Sequence, residues 1–138
     1  MTPDHFRTFA RYNTWANAHL LDAVARLAEA EIAKPRRSFF GSILNTLNHM
    51  LVADGIWLGR IDGVPSGFTA LNEVPYPELP ALAEARRSMD ARIVALCDGL
   101  DAERLAADLV YRTLGGTEQR TPFTWVLSHQ FNHQTHHR

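Results

Sequence analysis

The amino-acid sequence predicts an all-α protein, a four-helix bundle, and three observations support this prediction. Apolar residues recur at three- and four-residue steps in four separate segments, and this spacing is typical of amphipathic helices. Proline- and glycine-rich stretches separate the segments, and one short stretch before the last helix favours a β-hairpin around a Gly-Gly turn. The 138 residues suit one domain, residues 1–138, with a core of its own.

Composition and charge exclude several classes of protein. The formal net charge of −1 offers no basic field to nucleic acid, so we expect no nucleic-acid partner. Cys97 is the only cysteine, which excludes an internal disulfide and a cysteine-rich metal site. The N-terminus has no signal-peptide core, and no apolar run is long enough to span a membrane. We therefore expect a cytoplasmic protein with no membrane partner.

The first helix is predicted from Asp4 to about Glu31. Thr2-Pro3-Asp4 is a suitable start, because proline is tolerated in a first turn and an acidic residue suits the positive end of the helix dipole. Asn13 and Asn17 lie near the apolar stripe, and we expect them to cap or cross-link helices rather than act directly. The stripe itself consists of Phe6, Phe9, Ala10, Trp15, Ala16, Leu20, Val24 and Leu27.

The second helix is predicted to begin at the N-cap Ser42 and to run to about Ile61. Its apolar arc is wide, so we expect it to be buried on more than one side. His49 lies at the edge of this arc. Asp54 lies near its middle, where an unpaired carboxylate would be costly, so it either forms a buried ion pair that holds two helices or orients a ligand.

A long link through Pro75, Pro77 and Pro80 follows, and its length argues against a simple up-down-up-down path. The third helix covers about Leu79 to Leu100. Cys97 lies on its apolar face, and we expect a small buried hydrophobic residue rather than a nucleophile.

The hairpin is predicted between Leu109 and Arg120, around Gly115-Gly116. The last helix is predicted to start with Thr121 as N-cap and Pro122 in the first turn. Its predicted apolar side consists of Phe123, Trp125, Val126, Leu127 and Phe131. The helical pattern is unbroken at Arg138, so we expect either a shortened chain or a natural helix without its second half.

Four of the seven histidines fall in the last ten residues, at His129, His133, His136 and His137. Positions four apart lie one helical turn apart on the same face. Two imidazoles on adjacent turns can bind one zinc, nickel or iron ion. The spacing does not distinguish the pair 129/133 from the pair 133/137.

A third ligand has to come from another helix, and His49 is the candidate. His5 lies in the fraying start of the first helix, and His19 is expected to face solvent. Three protein ligands leave a coordination position for water or substrate, which is typical of catalytic sites, whereas structural sites more often have four ligands.

Four segments, in order along the chain, resemble the DinB family, the DinB/YfiT group of proposed metalloenzymes. They are Y-N-T-W-A-N from residue 12, L-N-H-M-L-V-A-D-G-I-W-L at 47–58, Y-R-T-L-G-G from residue 111 and N-H-Q-T-H-H-R at 132–138. The resemblance implies a four-helix bundle with an up-down-down-up path, a long crossover between the second and third helices, and a homodimer. It also implies a divalent metal ion bound by His49, His133 and His137, with His129 and His136 supporting these ligands or lining the pocket.

The chain departs from the family pattern at its end, because the motif normally continues after the arginine with glycine, glutamine and further helix. His137 would therefore lie in the last turn, where helices fray. We expect it to be the weakest of the three ligands.

The resemblance implies a metal-dependent transferase or hydrolase of small molecules, in particular a thiol-dependent S-transferase that acts on small electrophiles. Its co-substrate would be a low-molecular-weight thiol such as mycothiol or bacillithiol. One alternative is a non-catalytic stress-response bundle with a structural or incidental metal. Another is an interaction module that dimerises through Trp15 or Trp57. Tyr111, Arg112 and the Gly-Gly turn either rim the pocket or close one end of the bundle.

Overall fold

A computed structural model describes residues 1–138 of the chain. Its elements are α1 (Pro3–Ala25), α2 (Glu29–Ala33), α3 (Ile43–Asp62), α4 (Leu79–Asp98), α5 (Ala102–Ala106), β1 (Asp108–Arg112), β2 (Glu118–Pro122) and α6 (Phe123–His137). The predicted fold class is confirmed: the chain is mainly helical, and an antiparallel hairpin of β1 and β2 comes directly before the last helix. None of the helices is both long enough and apolar enough to cross a membrane.

The start of α1 is as predicted, but its end is not. The Thr2 hydroxyl accepts a hydrogen bond from the backbone N–H of His5, and proline occupies the first turn. The helix ends at Ala25 rather than near Glu31, and the short helix α2 follows. The extended backbone at Ala28 redirects the chain, so that Ile32 is buried in the apolar cluster with residues of α3. A single straight helix would have carried that side chain past the core.

Both ends of α3 are set by the capping residues next to them in the sequence. The Ser42 side chain accepts a hydrogen bond from the backbone N–H of Asn45 at 3.0 Å, which confirms it as the N-cap. Gly63 ends the helix with φ of 71°, a conformation that side chains with a Cβ rarely adopt.

The predicted cap of the last helix is wrong. Thr121 and Pro122 are the final residues of β2, where Thr121 pairs with Leu109, and α6 begins at Phe123 without a side-chain cap. The backbone N–H of Phe123 instead donates to the carbonyl of Ala107 at 3.0 Å. The strand therefore continues directly into the helix, because the hairpin already supplies the hydrogen bond that a cap would have made.

The four long helices contact one another in a closed ring: α1 packs on α4 and α6, and α3 packs on the same two helices. Cross-helix side-chain pairs give the helix directions. The pairs are Arg11–Asp98 and Asn17–Asp90 between α1 and α4, Asp54–Arg86 and Asp62–Arg92 between α3 and α4, and His49–His133 and Trp57–His129 between α3 and α6. Thus α3 and α4 run parallel, and each runs antiparallel to its other neighbour. This is the up-down-down-up path that the resemblance implies.

Two apolar clusters form the core, one around Phe6, Leu58 and Ile93 and the other around Met50 and Leu82. Cys97 is fully buried in the first, as predicted. Trp125 does not belong to the apolar side of α6 as predicted. It is 66% exposed, because α6 turns its neighbours Val126 and Leu127 inward instead.

A layer of buried polar side chains lies between the two clusters. Each long helix contributes to it; the members are Asn13, Asn17, Asp54, Arg86, Asp90, Gln130 and Gln134. Asn13 and Asn17 donate to the carboxylate of Asp90, so the predicted cross-linking role is confirmed.

Candidate metal centre

Three histidines from two helices converge at one end of α6. His49 comes from α3, while His133 and His137 lie one turn apart on α6. One ring nitrogen of each lies within 4.8 Å of the others. Nε2 of His49 lies 3.0 Å from Nε2 of His133. The fold therefore brings together the three residues that the resemblance implies as ligands.

The tautomer of His49 is fixed by the backbone. Its Nδ1 lies 2.9 Å from the carbonyl oxygen of Leu71, and a carbonyl can only accept, so Nδ1 carries the proton. Nε2 of His49 therefore presents a lone pair towards the other rings. A second hydrogen bond that sets the tautomer and orientation in this way is typical of metal-binding histidines.

The link between α3 and α4 places the Leu71 carbonyl. Asn48, which is fully buried, donates to the Tyr76 carbonyl at 2.8 Å and accepts from the Tyr76 N–H at 2.9 Å. This two-way contact fastens the link to α3 one residue before His49. The same link thus closes the bundle and orients the histidine.

The ring of Phe40 packs against the ring of His49 on one side of the site. The two rings are stacked, with centroids 3.9 Å apart and an angle of 18° between the planes. The rings of Phe40 and His137 also lie edge to face, with their centroids 5.9 Å apart. Stacking restricts rotation of the His49 ring and excludes water from one side of it.

All three imidazoles are neutral near pH 7. Burial lowers the pKa of His133 to about 4, and the neighbouring histidine rings lower it further by charge repulsion. Burial also lowers the pKa of His49, although the Leu71 hydrogen bond and the Asp54 charge oppose the shift. The pKa of His137 is lowered by burial and then by its histidine neighbours. Neutral rings keep the lone pairs that a metal ion requires.

The donor set fits a divalent metal ion. Two imidazole nitrogens about 2.0–2.1 Å from one ion lie roughly 2.9–3.4 Å apart, depending on the coordination geometry. The 3.0 Å separation between His49 and His133 is within this range. The full group spans up to 4.8 Å, so a shared ion would draw the rings closer together. A neutral His133 can present either a proton or a lone pair to His49, depending on its tautomer.

Asp54 fixes the position of α6 relative to α3 and α4. Its carboxylate accepts from Arg86 at 2.6 Å, from Gln134 at 2.8 Å and from Gln130 at 3.3 Å. Of the two roles left open by the sequence, the buried ion pair is the one observed. The hydrogen bond between Asp54 and Gln134 also fixes where the histidines of α6 lie along the bundle axis, because Gln134 directly follows His133.

Arg138 fastens the last turn of α6. Its guanidinium donates to Oδ1 of Asn13 at 2.6 Å and to Oδ1 of Asn17 at 3.0 Å, and it lies over the ring of Tyr12. This contact opposes the fraying expected at His137, because it ties the adjacent residue to α1.

A cleft of about 760 Å³ opens onto the three histidines. His129 and His136 are exposed and line it, as the resemblance implies, but neither belongs to the close group. Thr113, Leu114 and Gly115 of the hairpin turn form part of its rim. Tyr111 and Arg112 line a neighbouring cleft instead. Of the residues predicted either to rim the pocket or to close one end of the bundle, Gly115 lines the histidine cleft, whereas Tyr111 and Arg112 do not.

Sequence reasoning missed several residues of the site. Gln130 and Gln134 are spaced by four residues in register with the histidines, and that pattern could have revealed a second inward-facing polar row. Phe40 lies between helices, and no pattern in the sequence indicates that its ring contacts the site. The contribution of Leu71 has no signal in the sequence, because a backbone carbonyl is common to every residue type.

Among known protein families, the sequence profile of the DinB family matches this chain over residues 1–138. No curated protein matches the chain.

Proposed function

The chain belongs to the DinB family, and on that premise we propose that it is a metal-dependent enzyme in which His49, His133 and His137 bind one divalent ion. The observation that carries the proposal is the 3.0 Å approach of two imidazole Nε2 atoms, one of which is a fixed acceptor. Zinc, nickel and iron all suit three imidazole ligands.

Catalysis is favoured over a structural role for the ion. Three protein ligands leave a coordination position open, and the group faces a cleft rather than a closed core. The bundle also has its own supports: two apolar clusters and the buried Asp54–Arg86 pair hold the helices without an ion. A structural ion would therefore supply only helix-to-helix stabilisation that these contacts already provide.

We propose further that the reaction is transfer of a small electrophile to a low-molecular-weight thiol. When bound, the ion would lower the pKa of a coordinated thiol or water and so supply a nucleophile at neutral pH. In the transfer, the thiol gives up its proton to solvent and its sulfur forms a C–S bond, while the leaving group departs with its bonding electrons. The cleft volume lies within the roughly 300–1,000 Å³ typical of small-molecule sites.

Cobalt(II) in place of the native ion provides the test, because its absorption spectrum reports both coordination and thiolate binding. We expect tetrahedral-type bands on titration of the metal-free protein, and a sulfur-to-cobalt charge-transfer band when 2-mercaptoethanol is added. A His19→Ala variant, altered at an exposed histidine far from the site in sequence, is the matched control. Absence of cobalt binding would refute the metal proposal, and cobalt binding without the thiolate band would refute the thiol-transfer proposal alone.

Chelation separates catalysis from a structural metal. Removal of the ion is expected to lower the melting temperature by only the few degrees that loss of a bound ligand produces. Complete unfolding on chelation would favour a non-catalytic bundle. The homodimer implied by the family stays a prediction, which sedimentation velocity of the wild type and His49→Ala would check.

A further inference from the structure

Arg60 lies at the far end of the same cleft as the three histidines. Its guanidinium carbon is 4.5 Å from the ring centroid of Trp57 and 4.7 Å from that of Tyr111, and these two rings contact each other at 5.1 Å. The aromatic pair supports the flat guanidinium, since a cation over a π-face is attracted to it. The side chain is thereby held in place before any ligand arrives.

No carboxylate of the protein pairs with Arg60. Asp62, two residues away, is engaged by Arg92 at 3.3 Å instead. Arg60 forms no salt bridge and donates no hydrogen bond to another protein group, while stacking occupies only the face of the guanidinium. Its N–H groups remain available along the edge, and they match the two oxygens of a carboxylate.

Arg60 and His49 lie on the same side of α3. They are eleven residues apart, which is close to three full turns and about 16 Å along the axis. Side chains lean towards the N-terminus of a helix, so the guanidinium is directed back towards the histidines. Ile56 and Trp57 lie between them and form an apolar floor of the cleft.

We propose that Arg60 binds the carboxylate of an amphipathic ligand whose apolar body lies on Ile56 and Trp57. The opposite end of that ligand faces His49, His133 and His137, and only this last part rests on the proposed function. The cleft thus selects monocarboxylates over neutral molecules of the same shape. Arg60 is a specificity residue, because it contacts the ligand at a distance from the reacting atoms.

Isothermal titration of the protein in excess EDTA tests the proposal without any metal. The probes are 4-phenylbutyrate and its neutral counterpart 4-phenyl-1-butanol. The wild type is expected to bind the carboxylate at least tenfold more tightly than the alcohol. In Arg60→Gln the two affinities become equal within about a factor of two. The matched control Arg87→Gln, at an exposed arginine that pairs with Glu84 on α4, keeps the full preference.

Two further measurements keep the result decisive. Arg60→Lys retains the positive charge on a flexible side chain, and it is expected to keep part of the preference for the carboxylate. A variant that lost the preference because it misfolded would keep none of it. In His133→Ala the preference is expected to persist, so that the carboxylate site stands even if cobalt titration refutes the metal site. No preference in the wild type, or a preference that survives in Arg60→Gln, would overturn the proposal. A preference lost only in His133→Ala would assign the carboxylate to the imidazoles and would also overturn it.

Discussion

Nε2 of His49 lies 3.0 Å from Nε2 of His133, although 84 residues separate them in the chain. Nδ1 of His49 donates a hydrogen bond to the Leu71 carbonyl, so Nε2 of His49 brings a free lone pair to this short contact. Burial keeps both rings neutral near pH 7 by lowering the pKa of each. The contact suits either a hydrogen bond from Nε2 of His133 or a cation shared by two lone pairs, and the tautomer of His133 distinguishes the two arrangements.

The ligand assignment predicts a clear contrast between histidines of α6. His133→Ala should weaken cobalt(II) binding at least a hundredfold, because it removes the imidazole nitrogen that lies 3.0 Å from Nε2 of His49. His129→Ala should leave the affinity within about threefold, since its ring lines the cleft outside the close group. Spectrophotometric titration measures both variants. Equal loss in both would contradict the assignment.

The metal-free protein should lose stability in mild acid. His133 has a pKa of about 4 in the folded chain and an ordinary value of 6.5 when unfolded, so the unfolded chain binds more protons between these values. The free energy of unfolding should therefore fall as pH decreases from about 6.5 towards 4. The lowered pKa values of His49 and His137 act in the same direction.

Urea unfolding at several pH values in EDTA measures this slope. His133→Gln should flatten it, because the variant has no ring to protonate, whereas His19→Gln should not. An unchanged slope in His133→Gln would show that another group controls the acid sensitivity.

Arg138 is predicted to position His137, the third proposed metal ligand. Arg138→Ala removes the hydrogen bonds to Asn13 and Asn17, so the last turn of α6 gains freedom. Loss of such outer contacts typically costs about 10–100-fold in metal affinity. The cobalt affinity should fall by this amount with little change in melting temperature. Arg120→Ala, at an exposed arginine of the hairpin, is the control and should bind cobalt normally.

Asp54 should be one of the costliest single positions for stability. Its removal leaves Arg86 buried beside Asp90 with one fewer counter-charge, and breaking a buried pair costs about 3–5 kcal/mol. Asp54→Ala is compared with Asp98→Ala, whose exposed pair with Arg11 should contribute at most about 1 kcal/mol. Urea unfolding measures both. Similar losses in the two variants would contradict the assigned role.

Cys97 should be inert in the folded protein. Its side chain is fully buried, and burial together with the Asp98 charge raises the pKa of the thiol to about 12. A chromogenic disulfide reagent should react with it only as fast as the chain unfolds. Reaction within seconds under native conditions would show that the core around Cys97 opens readily.

Much of the fold could be predicted because its signals are local. The three- and four-residue apolar period marks α3 and α4 within a few residues, and the Ser42 cap acts over a single turn. The errors arose where distant contacts prevail over local pattern. Burial of Ile32 bends the chain after α1, and pairing with Leu109 places Thr121 in a strand.

By itself, the sequence determined that imidazoles recur at helical spacing on the last helix and that His49 interrupts an apolar face. Helical geometry, which depends only on the backbone, is sufficient for both conclusions. Helical spacing left open whether His129 or His137 joins the close group, the family resemblance implied His137, and the tertiary structure brings His137 there. Only the tertiary structure decided which ring nitrogen of His49 is free and that Arg60 shares the cleft. Those two facts depend on how α3, α6 and the long link are placed against one another. That placement is set by the buried layer around Asp54 and by the Asn48–Tyr76 contact, between residues far apart in the chain.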